Sequence, residues 1–504
     1  MTTQKYKTLA LFTIISLITG SCGKDYLVIE PKGTKLESTF YKTESEIFEG
    51  LVATYDPMQW GGLGSFGMKL GILNAASDDC YAGGSDASDQ PVWVASDAFT
   101  LDPNLGPQRF QWNRCYAGIY RANLFLEKIE GKIPNLTAEK KARYIAEAKT
   151  LRAIYYFDLV RWFSNVPLIT KTLGADEIYT QTQKPAAEIY AQIEKDLKEA
   201  IATAQLPNTV SPDELGRLVK PIARAVLGKA ILSQNNTARM SEAATQFENI
   251  INSGLYRLEK NYADIFKPSN KFGAESILEI VHSNVARYGW ESFGGNLGEG
   301  NYNVQFFGMR DFVGPLYSSG WSFCPVTETL EAAMKGDPRY DATIVNGKDL
   351  KAKGALYTAA YQNTDFFIKK YAPLASEKAA DGEPALNWGY NIKEIRLADV
   401  LLMAAEAIVK GGGNEAAARG YLNQVRKRVG LADRTSSGPA LLDDIYTERR
   451  LELATEGHRF WDLVRTGKAP STLKNFKAGK HELLPVPQQE IDITQGVLKQ
   501  NPGY

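Results

Sequence analysis

Residues 444–467, DIYTERRLELATEGHRFWDLVRTG, have a helical composition and contain no proline. Their apolar side chains recur at intervals of three, four or seven residues and so share one helical face. Arg449 and Glu456 fall on that same face, two turns apart, and a buried charge must be paired. We therefore predict that both belong to an ionic network with neighbouring helices. The charges of Glu448 and Arg450 are predicted to face solvent. The apolar positions on the predicted buried face are Ile445, Tyr446, Leu453, Phe460, Trp461 and Val464.

Helical periodicity recurs through much of the chain and predicts a mainly α fold. Paired amphipathic segments separated by short polar or Pro/Gly breaks indicate stacked helical hairpins. Gly457 predicts a break between one helix and another that begins at His458. Two long stretches between the helices are rich in Gly, Asp, Asn and aromatic residues, which is typical of irregular structure. The helical segments are predicted at 110–130, 139–163, 186–204, 220–233, 238–253, 394–410 and 415–429.

The N-terminus has the organisation of an export signal. Lys5 and Lys7 precede an apolar segment, residues 9–18, that is too short to span a bilayer. Small residues then lead to Cys22, as in a lipobox, although Thr19 stands where leucine is usual. We predict a signal peptide over residues 1–21 and acylation of Cys22. The alternative is an ordinary cleavage site followed by an ordinary cysteine.

Composition argues against several classes of function. The chain has 58 basic and 58 acidic residues, without the basic excess typical of a nucleic-acid binder. Three histidines, and cysteines without metal-ligand spacing, argue against a metal site, and we expect no cofactor. After Cys22 three cysteines remain, and the sequence does not choose a pair among them for a disulfide. They are Cys80, Cys115 and Cys324.

Catalytic motifs are also missing from the sequence. It has no G-x-S-x-G, H-E-x-x-H or phosphate-binding glycine loop, so we predict that the protein is not an enzyme. One alternative stays open in an acidic loop, where two carboxylates could act as the acid and base of a glycosidase or hold calcium. The carboxylates of that loop are Asp78, Asp79, Asp86 and Asp89.

Aromatic residues in the irregular stretches are the main functional signal. An exposed ring can stack on the C–H face of a sugar, and forked polar side chains nearby can pair with its hydroxyls. The same rings could instead be buried in the core, as we predict for Trp112, Trp162 and Trp461 on their helical faces. The candidate ligand-binding residues are Trp93, Trp290, Trp321, Tyr302, Tyr81, Asp79 and Asn303.

Two motifs resemble the SusD/RagB family. Residues 448–465 follow its C-terminal pattern E-R-R-x-E-L-x-x-E-G-x-R-x-x-D-L-x-R, and residues 483–504 resemble its closing segment LLPVPQQEI…QNPGY. The resemblance implies one SusD-like domain over residues 22–504, with degenerate tetratricopeptide-type hairpins enclosing a loop-rich lobe with little β structure. The scaffold would cover about 41–58, 109–253 and 394–466, and the ligand-binding lobe about 60–107 and 270–390.

The resemblance also implies a function. The protein would be a lipoprotein of the outer membrane, facing the cell exterior, that binds oligosaccharide or polysaccharide and delivers it to a SusC-like TonB-dependent transporter. Peptide binding, as in the RagB branch, is the first alternative, and glycoside hydrolysis is another. A purely structural helical scaffold is the last, and it predicts that Trp93, Trp290 and Trp321 are all buried.

Overall fold

The structure, a computed structural model, describes residues 40–61, 66–285, 288–291 and 298–504. The predicted signal peptide and the acylation of Cys22 lie outside the described residues and stay predictions. Within these ranges no helix combines the length and the apolar character needed to cross a membrane. Cys80, Cys115 and Cys324 are buried free thiols.

The predicted mainly helical fold is confirmed. Longer helices pack against one another in sequence order, so that each covers the apolar face of its neighbour. Local sequence sets their ends: Thr43 and Glu46 form a capping box at the first described helix, and the Thr137 side chain caps the longest one. The longer helices are Glu44–Tyr55, Gln108–Lys128, Ala138–Phe163, Ala186–Ala202, Lys220–Ser233, Met240–Ile251, Leu397–Lys410, Glu415–Arg428 and Gly438–Glu452.

Most of the shorter helices lie in the stretches predicted to be irregular and in the C-terminal segment, and one, Ala175–Ile178, lies between two scaffold helices. The long apolar repeats that signal a helix are absent from these stretches, which explains why the sequence pattern did not reveal most of them. One of the shorter helices, Glu328–Met334, ends just before Gly336. The shorter helices are Lys69–Ala75, Pro91–Ala98, Ala175–Ile178, Tyr302–Phe307, Glu328–Met334, Tyr340–Thr343, Gly347–Ala352, Arg459–Arg465, Ala469–Thr472 and Gln488–Ile493.

Strands are short and form three antiparallel pairs in the described residues. Ser276–Ile280 pairs with Ile392–Arg396, which leads directly into the helix Leu397–Lys410 and so connects the irregular lobe to the helical scaffold. Most buried apolar side chains, from Ile47 to Leu498, form one core that spans lobe and scaffold, and a smaller separate cluster lies within the lobe. The remaining pairs are Val166–Pro167 with Gln183–Lys184, and Ile344–Asn346 with Phe366–Ile368.

The opening sequence stretch forms the predicted ionic network. Arg449 donates to Asp399 at 2.7 Å and to Asp462 at 3.1 Å. Glu456 accepts from Arg396 at 2.8 Å and from Lys370 at 2.7 Å. All six side chains are at least four-fifths buried, so each charge is neutralised by a partner rather than by water. The prediction for Arg449 and Glu456 is confirmed.

The prediction that Glu448 and Arg450 face solvent is wrong. Glu448 is 1 % exposed and binds Arg339 at 2.6 Å and Arg426 at 2.7 Å. Arg450 donates to Asp79 at 2.9 Å. Helix Gly438–Glu452 is covered on more than one side, because the lobe contributes Arg339 and Asp79 to faces that the scaffold leaves open. The apolar periodicity of the sequence identifies only one of these buried faces.

The predicted break at Gly457 is a six-residue turn. One helix ends at Glu452 and the next begins at Arg459. Thr455 and Gly457 have φ angles of 65° and 77°, in the left-handed region that favours glycine. The Asn74 side chain fixes this turn, because its amide donates to the Thr455 carbonyl and accepts from the Gly457 N–H, each at 3.0 Å.

Candidate functional site

The acidic loop predicted from the sequence connects the lobe to the C-terminal helices. Asp78 accepts from Arg459 at 2.7 Å, and Asp79 accepts from Arg450 at 2.9 Å. Arg459 and Arg450 hold the pKa of Asp78 below its usual value, against the opposing effect of burial. Asp79 is 1 % exposed, so it supports the loop from inside rather than presenting a group to a ligand.

The four carboxylates of this loop do not converge on one point. Asp86 accepts from Ser88, and Asp89 accepts from Ser85, in a turn some residues beyond the Asp78–Asp79 pair. Among the residues that the structure describes, no cluster of His, Cys, Asp or Glu has the arrangement of a metal site. The loop is therefore organised by arginines and by its own turn.

The middle of this loop pairs with the segment that carries Trp321. Residues 80–84 lie antiparallel to residues 322–326, with Cys80 opposite Val326 and Gly83 opposite Phe323. The backbone N–H of Cys324 donates to the Ala82 carbonyl at 3.0 Å. Because residues 78–79 bind the C-terminal helices directly, this pairing holds the Trp321 segment against the scaffold.

Trp290 and Trp321 form an aromatic ledge. Their rings are 6.1 Å apart between centroids and inclined by only 18°. Trp290 is 46 % exposed and Trp321 is half-buried, so the pair presents ring surface to solvent. Rigid apolar ring surface beside water is suited to stacking on the face of a sugar. Ligand contact by these two residues stays a prediction.

A layer of aromatic side chains supports the ledge from below. Trp321 makes edge contacts with Phe306 at 5.0 Å and with Phe66 at 5.9 Å between centroids. The Trp321 backbone N–H donates to the Gln305 carbonyl at 2.9 Å, which fixes the segment beneath the ring. Trp321 therefore rests on a packed base of aromatic side chains and backbone.

The sequence placed Trp93 in a loop, and this is wrong. Trp93 lies on helix Pro91–Ala98 and is 0 % exposed. Its ring stacks on Phe306 at 4.9 Å, and its indole N–H donates to the Phe66 carbonyl at 2.7 Å. A buried ring offers no face to a ligand, so Trp93 belongs to the base of the ledge.

The other candidate residues are distributed between the core and the surface. Tyr302 and Asn303 are 4 % and 3 % exposed, on the buried helix Tyr302–Phe307. Both are core residues, contrary to their predicted exposure. Tyr81 is half-buried and donates to Glu328 at 3.3 Å, and burial raises the pKa of its hydroxyl. Only Trp290 and Trp321 come together as a pair with solvent-facing rings.

The predicted core tryptophans are mostly confirmed. Trp112 and Trp162 are 4 % and 2 % exposed, and Trp461 is half-buried with its ring 4.5 Å from that of Trp162. Helical periodicity was a sound guide for these three residues. Loop position was a poor guide for Trp93, because the short helix that carries it has no repeat to detect.

Arg310 and Asp89 lie beside the ledge and were not predicted as a pair. The Arg310 guanidinium donates to the Asp89 carboxylate at 3.3 Å and to the Trp321 carbonyl at 3.2 Å. Both side chains are about a quarter exposed. Such forked groups match the spacing of neighbouring sugar hydroxyls. The two residues are 221 positions apart, so only the fold brings them together.

Comparison with known proteins identifies two family matches. Residues 282–504 match the SusD family. Residues 84–232 match a family described as starch-binding and associating with the outer membrane. These matches include the C-terminal motifs on which the sequence resemblance depended.

Solved structures and curated relatives match most of the chain. A laminarin-binding SusD-like protein is 42 % identical, with a TM-score of 0.86 over 92 % of this chain and 100 % of that one. Surface glycan-binding protein A from Bacteroides thetaiotaomicron, solved with laminarihexaose, is 31 % identical, with a TM-score of 0.84 over 91 % and 99 %. A SusD-like protein of Formosa agariphila is 25 % identical over 99 % of this chain and 100 % of its own length.

Proposed function

The chain belongs to the SusD family, and from that premise we propose that it is a cell-surface lipoprotein that binds laminarin on the Trp290–Trp321 ledge. It delivers the glycan to a SusC-like TonB-dependent outer-membrane transporter. The observation that carries the binding proposal is the pair of nearly parallel indoles open to solvent. Laminarin is chosen because two of the similar structures are laminarin or laminarihexaose binders.

The chemistry of the ledge suits a neutral glucan. A glucose ring has apolar C–H faces and equatorial hydroxyls at its rim, so one ring face can lie on Trp290 or Trp321 while the rim faces water. Arg310 and Asp89 then supply donors and acceptors to the hydroxyls at one side. Because these two charges already neutralise each other, they favour a neutral ligand over an anionic one.

The structure bears differently on the three alternative functions. A purely structural scaffold required all three loop tryptophans to be buried, and Trp290 is 46 % exposed, so that alternative fails by its own criterion. A glycosidase needs facing carboxylates, whereas Asp78 and Asp79 are paired with arginines. Peptide binding is separated from glycan binding by the ligand panel below.

Binding is tested with Trp290→Ala, Trp321→Ala and the double variant, by affinity electrophoresis in laminarin gels and by calorimetry with laminarihexaose. Loss of one stacking ring removes roughly 1–2 kcal/mol of apolar contact, or about 5- to 30-fold in Kd. Tyr421→Ala is the control, because it removes a half-buried aromatic from the scaffold helix Glu415–Arg428. Unchanged binding in the double variant contradicts the ledge proposal.

A wild-type chain that ignores laminarin and every other glycan of a panel, but binds peptides, would favour the RagB-like alternative. Release of reducing sugars from a bound glycan would favour the hydrolase alternative. Both assays use the same purified protein as the binding experiment, so the three outcomes are directly comparable.

Anchoring and delivery need separate tests. Cys22→Ala should move the protein from the membrane to the soluble fraction in cells that lack the TonB-dependent barrel, and its retention in those membranes contradicts acylation at this position. Purification of the wild-type protein from native outer membranes in mild detergent should recover a TonB-dependent barrel in a fixed ratio, identified by mass spectrometry. Recovery of the protein alone contradicts the delivery proposal.

A further inference from the structure

A second groove, of about 370 Å³, runs along helix Gln108–Lys128 and shares no lining residue with the ledge. Its other walls come from residues 167–181 and from the C-terminal helix Gln488–Ile493 with the residues that follow it. The volume lies in the lower part of the range of small-molecule pockets, roughly 300–1,000 Å³.

Aromatic side chains at four-residue spacing line the helical wall. Trp112, Tyr116 and Tyr120 occupy successive turns of one face. Tyr120 is 50 % exposed, and Tyr179 on another wall is 52 % exposed. The Tyr116 hydroxyl donates to the Pro167 carbonyl at 2.9 Å, which joins the two walls. The groove thus presents two half-exposed rings on fixed walls.

Two polar side chains in the groove have capacity for further hydrogen bonds. Glu490 makes no salt bridge within the described part of the chain, and its partial burial raises the pKa of its carboxyl group, with Arg109 and the Trp112 indole opposing that effect. The Asn113 amide has no hydrogen-bond partner among the residues that the structure describes. A ligand that fits here must offer both donors and acceptors.

A sugar meets these requirements better than an apolar segment of a partner protein. Its hydroxyls can donate to Glu490 and can both donate to and accept from Asn113, while its C–H face stacks on a tyrosine. An apolar segment would cover the rings, leave the Asn113 amide desolvated without a partner and leave Glu490 with only the Trp112 indole, which costs free energy. Hydrogen-bonding complementarity therefore favours a glycan as the occupant.

We propose that this groove is a second glycan-binding site, which takes one or two sugar rings against Tyr120 and Tyr179, with Glu490 and Asn113 hydrogen-bonded to hydroxyls. The proposal rests on the proposed function, because it assumes that the chain binds a glycan at the ledge. Two sites on one chain would hold a long polymer more tightly than a short oligosaccharide, through the high effective concentration of the tethered second segment.

The test uses the full chain purified in detergent and two probes, laminarin polymer and laminarihexaose. Calorimetry should find two hexasaccharides per wild-type chain, and one in Tyr120→Ala/Tyr179→Ala. The same double variant should weaken polymer binding by about 100-fold, the lower end of what a second linked contact contributes. Trp290→Ala/Trp321→Ala should retain weak binding that disappears when both pairs are replaced.

Two controls separate loss of the groove from general damage. Tyr120→Phe/Tyr179→Phe keeps the rings and should retain the second hexasaccharide. Leu215→Ala/Leu255→Ala removes two similarly exposed apolar side chains, 50 % and 42 %, from a different pocket and should leave both sites intact.

The failures of the two proposals are distinguishable. One hexasaccharide per wild-type chain, with polymer binding unchanged in Tyr120→Ala/Tyr179→Ala, overturns the second site and leaves the ledge in place. The second site is also overturned, and the ledge kept, if the wild-type chain binds one hexasaccharide and Trp290→Ala/Trp321→Ala binds none. A wild-type chain that binds neither probe nor any other glycan overturns the proposed function and this inference together.

Discussion

The buried ionic network and the aromatic ledge place polar and apolar groups in opposite ways. In the network, Glu452 is 0 % exposed and binds three arginines, Arg339, Arg396 and Arg428. In the ledge, the large apolar ring of Trp290 is 46 % exposed. Charge inside and an aromatic ring outside both oppose simple burial rules. In the network, partners within the chain offset the cost of burying each charge. In the ledge, the exposed apolar ring surface leaves water only when another molecule covers it.

This difference separates the structural role of the network from the binding role that we propose for the ledge. The network joins Arg339 of the lobe, Arg396 at the end of strand Ile392–Arg396 and Arg428 of the scaffold to one helix, so it fixes how the parts assemble. Its groups have partners already and offer little to a ligand. Removal of a network residue should therefore change folding, and removal of a ledge residue should change binding.

The largest expected effect is on the network carboxylate. Glu452→Gln keeps the volume but leaves three buried guanidinium groups short of a negative charge, and we expect a loss of about 3–5 kcal/mol in the free energy of unfolding. Denaturant unfolding followed by circular dichroism measures it, and laminarin binding by the remaining folded protein should not change.

A matched control for Glu452→Gln is the exposed pair of Asp443 and Lys468, whose side chains are 71 % and 44 % exposed. Asp443→Asn should cost less than about 1 kcal/mol, because water already solvates both charges. If Glu452→Gln were equally mild, the network would not hold the lobe to the scaffold, and the contrast with the ledge would lose its meaning.

The second prediction concerns pH. Burial lowers the pKa of His282 and of His458 from 6.5 to about 4, and for His458 the nearby Lys229 adds to the effect. Both imidazoles stay neutral in the folded chain while those of the unfolded chain take up protons below pH 6.5. The free energy of unfolding should therefore fall as pH drops from about 6.5 to 4, by up to about 3 kcal/mol for each histidine.

Denaturant unfolding at pH 7, 5.5 and 4.5 checks this prediction, with His458→Gln and His282→Gln as variants that flatten the slope. Burial raises the pKa of the Glu194 carboxyl, but hydrogen bonds from Arg239, Gln234 and Lys198 outweigh it and lower this pKa to about 2. The contribution of Glu194 to the free energy of unfolding is therefore lost only below about pH 4.5. An undiminished slope in both histidine variants would assign the pH dependence to other groups. Laminarin binding at the ledge should be nearly constant over the same range.

The network and the ledge also differ in how well the sequence predicts them. Arg449 and Glu456 repeat at helical spacing within one short stretch, so periodicity and the cost of an unpaired charge were enough to place them in a network. Glu448 was missed because the groups that cover it, Arg339 and Arg426, come from distant positions. An apolar repeat identifies one buried face of the helix and gives no sign of a second face that distant residues cover.

The ledge depends almost entirely on long-range packing. Composition could identify tryptophans in non-periodic stretches, but not that Trp93 would be buried beneath Phe306 while Trp290 would be exposed beside Trp321. No local pattern distinguishes these cases, since each ring has Gly, Ser or acidic residues near it in sequence. Motifs therefore identified the scaffold, and only the fold showed which rings face solvent.

The smallest expected effect is on the polar edge of the ledge, at Arg310 and Asp89. Both are about a quarter exposed, so their mutual attraction is screened by water and contributes little to stability. Arg310→Lys removes the planar fork that reaches both Asp89 and the Trp321 carbonyl, and Asp89→Asn removes its charge. Unfolding should change by less than about 1 kcal/mol in either variant.

Laminarihexaose binding should nevertheless weaken in both variants, by about 3- to 10-fold, the equivalent of one hydrogen bond of roughly 1 kcal/mol. The dependence of this weakening on salt concentration distinguishes a neutral ligand from an anionic one. A neutral glycan bound through hydroxyls should show the same weakening at low and high ionic strength, because no charge on the ligand is screened. A defect that grows as salt is removed would indicate an anionic ligand, and the charged pair rather than the indoles would then select what binds beside Trp321.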